Sequence, residues 1–131
     1  MRYLLDTHTF IWFTENNPSL GKTAGRLIKD KNSEVFISMA SLWEIAIKTS
    51  LGKLSIMAPY DSVFDDLSRL NIQLMPIKFE HTVLINKLPF HHKDPFDRMI
   101  ASQAICENLD LLSCDDKFDK YLSPSTQKRL W

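Results

Sequence analysis

The chain has 131 residues, of which 44% are hydrophobic, and its 16 basic residues are balanced by 16 acidic ones. This length predicts one globular domain, residues 1–131, that buries about two thirds of its unfolded surface. The charge balance excludes a strong overall attraction to polyanions, so any nucleic-acid site must be local. Only three glycines are present, in neither a P-loop nor a G-x-G-x-x-G pattern, and nucleotide cofactors are therefore not expected.

Neither a targeting segment nor a membrane span is expected. Asp6 comes too early for a signal peptide, and no apolar run approaches the roughly 20 residues of a membrane span. The two cysteines, Cys106 and Cys114, lack metal-ligand spacing and are predicted to pack as small apolar side chains in a helix and a strand. We therefore expect a cytoplasmic protein that does not depend on disulfides.

Short apolar runs alternate with helical patterns along the chain. The predicted strands are residues 3–5, 35–38, 72–77, 111–113 and, with a weaker pattern, 129–131. The predicted helices are residues 8–13, 20–30, 41–48, 61–70, 79–88 and 94–107. Because the strands are continuously apolar, they indicate a parallel sheet covered by helices on both faces, which is an α/β fold.

Acidic side chains stand where these elements meet. Asp6 and Asp115 follow predicted strands, while Glu44 and Asp97 lie near the starts of predicted helices. Right-handed crossovers place the carboxyl ends of parallel strands on one edge of the sheet. The sequence therefore predicts that four carboxylates converge there.

Each acid also has a purely structural interpretation. Asp6 and Asp94 suit helix N-caps, and Asp97 suits the first turn of a helix. Glu44 fits a capping box with Ser41, and it is also spaced for an ion pair with the lysine at position 48. A non-catalytic α/β protein-binding module whose acids cap helices is thus the alternative to a shared site.

Clustered carboxylates repel one another and require a cation. An all-oxygen site favours Mg²⁺ or Mn²⁺, whereas Zn²⁺ would recruit histidine or cysteine. None of the four histidines lies inside an acid motif, and His91 and His92 are interpreted as exposed loop residues, with substrate contact as the alternative. A hydrated divalent ion at such a site predicts phosphodiester hydrolysis.

Single-stranded nucleic acid would need a positive rim and stacking surfaces near the acids. The candidate cations near the motifs are Lys48, Lys53, Lys93 and Arg98, and the candidate stacking rings are Trp43 and Phe90. Two alternatives remain open at this stage. Arg98 could instead bind Asp94 or a neighbouring acid, and the two aromatic rings could belong to the core.

Four segments, taken together, resemble a known family. They are LLDTHTFIW at residues 4–12, SMASLWEIAIK at 38–48, HKDPFDRMIASQA at 92–104 and LLSCD at 111–115. In this order and spacing they resemble the PIN domain, and more narrowly the VapC-type toxins of bacterial toxin–antitoxin modules. The resemblance covers nearly the whole chain.

The resemblance implies a three-layer α/β/α sandwich around a parallel sheet, an Mg²⁺- or Mn²⁺-dependent endoribonuclease, a homodimer and inhibition by a small antitoxin protein. The acids it implies for catalysis and metal binding are Asp6, Glu44, Asp97 and Asp115. Asp97 rather than Asp94 matches the family position. Asp116 remains an alternative to Asp115, because a shift of one residue would exchange them. Ser113 stands where the family often has threonine.

Other enzyme classes with an acid after the first strand fit less well. A phosphatase of the haloacid-dehalogenase type would need a second aspartate two positions after Asp6, and that position holds His8. A receiver domain would need an adjacent pair of acids at the end of this strand, which the run of Leu4, Leu5 and Asp6 does not supply. The sequence thus favours the metal-dependent nuclease over both.

Overall fold

Five parallel strands form the centre of the computed structural model, which describes residues 1–131. The strands are β1 (Arg2–Leu5), β2 (Glu34–Ser38), β3 (Ile72–Met75), β4 (Asp110–Leu112) and β5 (Arg129–Leu130). They lie in the order β3-β2-β1-β4-β5. Leu4 of β1 is opposite Phe36 of β2 on one side and Leu111 of β4 on the other, so β1 is the central strand. The predicted parallel sheet, including its short last strand, is confirmed.

Seven helices surround this sheet. They are α1 (Thr7–Thr14), α2 (Lys22–Lys29), α3 (Met39–Ser50), α4 (Val63–Arg69), α5 (Phe79–Lys87), α6 (Pro95–Cys106) and α7 (Asp119–Leu122). Short 3₁₀ turns at Tyr60–Ser62 and Asp116–Phe118 precede α4 and α7. None of the helices is both long enough and apolar enough to span a membrane.

Helix α7 was not predicted, because four residues are too few to show a helical period. A signal is nevertheless present in the longer segment, since Phe118, Tyr121 and Leu122 are spaced as one face of a helix and all three are buried. These side chains pack beneath α6, in the same core cluster as Ile100 and Ala104.

Alternate residues of β1 supply two separate cores. Leu5 packs in a cluster that includes Phe10 of α1 and Ile45 of α3. Leu4 packs in the other cluster, with Ile100 of α6. Successive side chains of a strand point to opposite faces of the sheet, so the two clusters lie on its two sides. The predicted α/β/α sandwich is therefore confirmed.

Several helix ends match the sequence. Asn16, Asn71 and Asn108 follow α1, α4 and α6 with φ angles of 56°, 57° and 56°, a left-handed conformation that asparagine tolerates better than most residues. Met75 ends β3, which is an edge strand, and Pro76 follows it, as expected of a residue that cannot donate to a ladder.

A histidine forms the centre of the inward face of α5. His81 is fully buried, whereas Val83 is 38% exposed. The buried and half-buried positions of this helix fall at 81, 84 and 85, followed by 88 just after its end, which is a single narrow stripe toward α6. Val83 lies beside that stripe rather than in it.

Candidate active site

A cleft of about 440 Å³ opens beyond the carboxyl ends of the central strands. Its lining residues are Asp6, Thr7, His8, Trp12, Glu44, Lys48, Asp94, Asp97, Cys114 and Asp115. All four acids expected from the sequence are among them. Asp116, the alternative to Asp115, is exposed and does not line this cleft.

Asp6 is held by two elements at once. One carboxylate oxygen, Oδ1, accepts the backbone N–H of Thr9 at 2.8 Å and so caps α1. The other, Oδ2, accepts the hydroxyl of Ser113, which follows β4. Ser113 Oγ also accepts the backbone N–H of Asp115 at 3.0 Å. The capping interpretation of Asp6 is therefore right, and the same residue also faces the cleft.

Asp115 follows the same pattern. Its Oδ1 accepts the backbone N–H of Lys117 at 3.0 Å, which caps the 3₁₀ turn that precedes α7. No hydrogen bond is made to the second oxygen, Oδ2. The Ser113 hydroxyl therefore holds the Asp6 carboxylate and the backbone of Asp115 together, a role that its place in the sequence did not reveal.

The surroundings of Glu44 differ from the expected capping box. Helix α3 begins directly after β2, with Ser38 Oγ accepting the backbone N–H of Ala40 at 3.0 Å, so Ser41 is not the N-cap. Glu44 consequently lies in the second turn of α3 and is buried. Its carboxylate accepts the Thr7 hydroxyl at 2.6 Å and the Lys48 ammonium at 2.6 Å.

The lysine contact confirms the predicted i,i+4 ion pair of Glu44. The hydroxyl contact was missed. Thr7 directly follows Asp6 at the start of α1, and this neighbouring hydroxyl was the available signal. Because Thr7 follows Asp6 and gives its proton to Glu44, it connects two of the predicted acids, and its oxygen can accept the hydroxyl of Ser41 at 3.0 Å.

Asp97 has the most perturbed environment of the four acids. Helix α6 starts at Pro95, and its free N–H groups are capped by Asp94, whose Oδ1 accepts from Phe96 N at 2.8 Å and from Asp97 N at 3.3 Å. The Asp97 carboxylate accepts no backbone N–H. Burial, followed by the negative charges of the other acids in the cleft, raises its pKa from 3.8 to about 7.

His92 lies among the acids, contrary to the expectation of an exposed loop residue outside the acid motifs. Its Nε2 is 3.2 Å from Asp97 Oδ2 and 4.0 Å from Asp115 Oδ2, and its side chain is 15% exposed. One ligand atom from each of these three residues lies within 4.8 Å of the others. Asp6 and Glu44 line the same cleft but are not part of this tight group. The loop before α6 folds back over its N-terminus, which the sequence pattern did not reveal.

Arg98 is neither part of a positive rim nor bound to an acid. It is 8% exposed, and its guanidinium donates to the carbonyls of Ile85 at 2.9 Å and Pro89 at 3.0 Å and to the Tyr121 hydroxyl at 3.1 Å. A planar donor with five N–H groups can satisfy several such acceptors at once. Arg98 therefore stabilises the loop between α5 and α6.

The other candidate cations and rings are accessible. Lys48 is the one lysine that lines the acidic cleft, while Lys53 and Lys93 are exposed elsewhere. Trp43 is 57% and Phe90 is 71% exposed, so neither belongs to the core. Both line a second, mostly apolar cleft of about 450 Å³, which Lys93 also lines.

The cysteines are free, but they are less buried than expected. Cys106 is half-buried in α6. Cys114 is exposed in the loop after β4, because that strand ends at Leu112 rather than at Ser113. Burial and the nearby carboxylate of Asp6 raise the pKa of the Cys114 thiol, which favours its neutral form.

The sequence model of the PIN domain matches residues 3–122. The chain belongs to the PIN domain family. No curated protein sequence matches it. As a PIN domain, it carries its four predicted acids within the matched region.

Solved structures of VapBC and FitAcB share this PIN fold. VapBC2 from Rickettsia felis, bound to a DNA fragment from its promoter, is similar over 99% of this chain and 98% of its own, with 23% identity and a TM-score of 0.71. VapBC-1 from nontypeable Haemophilus influenzae is similar over 98% and 96%, with 19% identity and a TM-score of 0.64. FitAcB from Neisseria gonorrhoeae has the same coverage and TM-score, with 13% identity. At these identities the likeness shows the fold.

The cleft of this PIN domain fits a divalent metal ion, which members of the family generally use. Its donors are carboxylate oxygens, the ligands that hard divalent ions prefer. The environment of Asp97 supports this fit. Its pKa is raised by burial and then by the negative charges of the clustered carboxylates, and a cation would balance those charges. Asp115 Oδ2 and Asp97 Oδ1, which accept no hydrogen bond within the chain, are the available oxygens.

Proposed function

We propose that this PIN domain is an Mg²⁺- or Mn²⁺-dependent endoribonuclease and the toxin of a toxin–antitoxin pair. The observation that carries the proposal is the Asp97 carboxylate. It is half-buried among other carboxylates, accepts no backbone N–H, and has a pKa raised to about 7. A divalent cation relieves this repulsion, and the acids then serve as its ligands.

Different residues of the cleft would bind the metal ion, supply negative charge and orient the acids. Asp97 and Asp115 would hold the ion, with Asp6 and Glu44 supplying further carboxylate charge. A bound Mg²⁺ supplies an activated water and neutralises the leaving oxygen of a phosphodiester. Ser113 and the backbone N–H of Thr9 keep Asp6 in one orientation.

Features beside the acids support RNA as the substrate. The Lys48 ammonium, paired with Glu44, offers the cleft a positive charge that attracts a phosphate. The exposed rings of Trp43 and Phe90 offer stacking surfaces for unpaired bases, with Lys93 close by. These features favour a single-stranded substrate over a duplex.

The alternative of a non-catalytic module whose acids cap helices explains only part of the cleft. Asp6, Asp94 and Asp115 do cap helical turns. Glu44 caps none, but its contacts with Thr7 and Lys48 do give it a structural role. Asp97 caps none and accepts no backbone N–H, so a structural role leaves this carboxylate without an explanation, whereas a metal site uses it.

The proposed partner is a small antitoxin protein, and the proposed assembly contains a homodimer of this chain. The support for an antitoxin is that the similar structures include VapBC complexes. The chain also exposes several large apolar side chains that a partner could cover, namely Met57, Phe64, Phe79 and Phe90. Light scattering on the purified chain tests the dimer, and native co-purification tests the antitoxin.

The decisive experiment incubates purified protein with a pool of cellular RNAs and Mg²⁺ and maps the new RNA ends. We expect cuts at defined sequences that disappear with EDTA and in Asp97→Asn. Mapped ends also identify the preferred RNA and its sequence context. Unchanged RNA under both Mg²⁺ and Mn²⁺, with the protein folded, would reject the nuclease.

A further inference from the structure

Three of the four acids are oriented by donors close to them. Asp6 and Asp115 accept backbone N–H groups of their own helical turns, and Glu44 accepts a hydroxyl and an ammonium group. Asp97 differs, because its carboxylate has a single polar contact within the chain, the imidazole of His92 at 3.2 Å. The orientation of the most perturbed acid therefore depends on one side chain.

The hydrogen bonds of His92 determine which of its nitrogens carries the proton. The backbone N–H of Asp94 points to His92 Nδ1 at 3.1 Å. Nδ1 must therefore be an acceptor, and the proton of the neutral ring belongs on Nε2, which faces Asp97 Oδ2. A protonated Nε2 has no lone pair for a metal ion, so in this state the ring can offer a proton to Asp97 Oδ2, 3.2 Å away, but does not bind the metal itself.

Buried side chains hold the backbone of His92 in place. Its N–H donates to the hydroxyl of Tyr121 at 2.8 Å, and that hydroxyl also accepts from Arg98 at 3.1 Å. Arg98 further binds the carbonyl of Pro89 in the same loop. Because Arg98 and Tyr121 are both buried, this connection is protected from competing water.

We propose that His92 is a positioning residue for Asp97. Its Nε2–H holds one carboxylate oxygen of Asp97 and leaves the other directed to the metal. The metal role of Asp97 rests on the proposed function, but the contact between His92 and Asp97 can be tested without any nuclease assay. The ligands then remain carboxylates, although the imidazole lies close enough to be mistaken for a third ligand.

Two variants separate the donor at Nε2 from the acceptor at Nδ1. In His92→Gln the side-chain amide reaches the position of Nε2 and can still donate to Asp97. In His92→Asn the shorter amide can still accept from Asp94 N–H but does not reach Asp97. His91→Asn is the matched control, because His91 is an exposed neighbour whose ring lies edge-on to Tyr121 and makes no hydrogen bond or ion pair.

The first measurement is Mn²⁺ affinity by calorimetry, alongside kcat and KM for RNA. We expect His92→Asn to weaken Mn²⁺ binding about 10–100-fold, as is usual when a residue that orients a metal ligand is lost. His92→Gln should stay close to the wild-type affinity, and His91→Asn should match it. The loss in His92→Asn should appear in kcat more than in KM, because the proposed role of His92 is to orient a metal ligand rather than to bind the substrate.

The second measurement is the ¹⁵N NMR spectrum of the His92 ring in the metal-free protein. We expect the proton on Nε2. A proton on Nδ1 would overturn the proposal, as would imidazole nitrogen coupling in the pulsed EPR spectrum of bound Mn²⁺, since both indicate a metal ligand. Equal affinity of His92→Asn and wild type would overturn it in favour of a role in the loop alone.

These results also separate this inference from the nuclease proposal. If the wild type binds Mn²⁺ with the expected pattern across the variants but cuts no RNA, the nuclease is rejected and the role of His92 stands. If RNA is cut and both His92 variants lose Mn²⁺ affinity equally, the nuclease stands and the positioning role is rejected.

Discussion

Asp6 and Asp97 line the same cleft, but Asp6 is the N-cap of a helix and Asp97 lies inside the first turn of one. Asp6 follows the central strand and accepts the N–H of Thr9 in the turn that it begins. Asp97 lies inside a helical turn whose N–H groups already belong to Asp94. A carboxylate at the N-cap accepts hydrogen bonds from the free backbone N–H groups of its helix. A carboxylate in the first turn finds those N–H groups already bound to the N-cap residue. Asp97 is therefore the acid whose charge responds most to a metal ion.

The largest expected effect concerns cleavage. Asp97→Asn and Asp6→Asn should each abolish RNA cleavage, a loss greater than the roughly 10–100-fold typical of residues that only orient ligands. Both variants should remain folded, since asparagine keeps the shape of the side chain. The measurement is the initial rate on a mapped RNA, with circular dichroism as the control for folding. Full activity of Asp97→Asn would show that the cleft acts through other acids.

The comparison also predicts a pH dependence for the metal-free protein. The pKa of Asp97 is raised from 3.8 to about 7 in the folded state. Between these values the native chain holds a proton that the unfolded chain releases, so the free energy of unfolding falls as pH rises through this window. Urea denaturation in EDTA between about pH 4 and pH 8 should show this fall in the wild type and a flatter profile in Asp97→Asn. Parallel profiles would contradict the raised pKa.

Metal binding should stabilise the fold by an amount set by its affinity. At a free Mn²⁺ concentration of 100 times Kd, the expected gain is about 2.7 kcal/mol. The gain should be much smaller in Asp97→Asn and little changed in Asp116→Asn, whose exposed side chain lies outside the cleft. Thermal melts with and without Mn²⁺ measure it. A melting curve that Mn²⁺ leaves unmoved would favour the capping account.

The smallest effect is expected at Asp94. Removing this N-cap in Asp94→Ala should cost about 1 kcal/mol of stability while leaving cleavage measurable. The loss appears as a lower urea midpoint, and cleavage is assayed well below the melting temperature. Abolished cleavage in Asp94→Ala together with active Asp97→Asn would show that the roles of these two acids are reversed.

The sheet and the positions of the acids follow from patterns that are local in the chain. The apolar run of β1 ends directly before Asp6 and that of β4 ends three residues before Asp115, and a parallel sheet brings those ends together. Asp94 as an N-cap followed by Pro95 likewise predicts the start of α6. These features need only neighbouring residues, and the structure agrees with them.

The surroundings of the acids depend on distant residues and were not predictable in the same way. His92 reaches Asp97 because of the path of a loop, and that path is set by Arg98, which lies in the following helix. Thr7 meets Glu44 across 37 positions of the sequence. No periodic pattern encodes such contacts, which is why Arg98 was interpreted as a surface cation and His92 as a loop residue.

The hydrogen bond between Tyr121 and the backbone of His92 makes the end of the matched region part of the site. Tyr121 lies in α7, which contributes no side chain to the acidic cleft. The match to the PIN family ends at residue 122, where α7 ends as well. A shortened chain that stops before α7 would keep every acid and still lose the anchor of the loop that carries His92. A fragment that keeps this loop in place should therefore extend at least through Leu122.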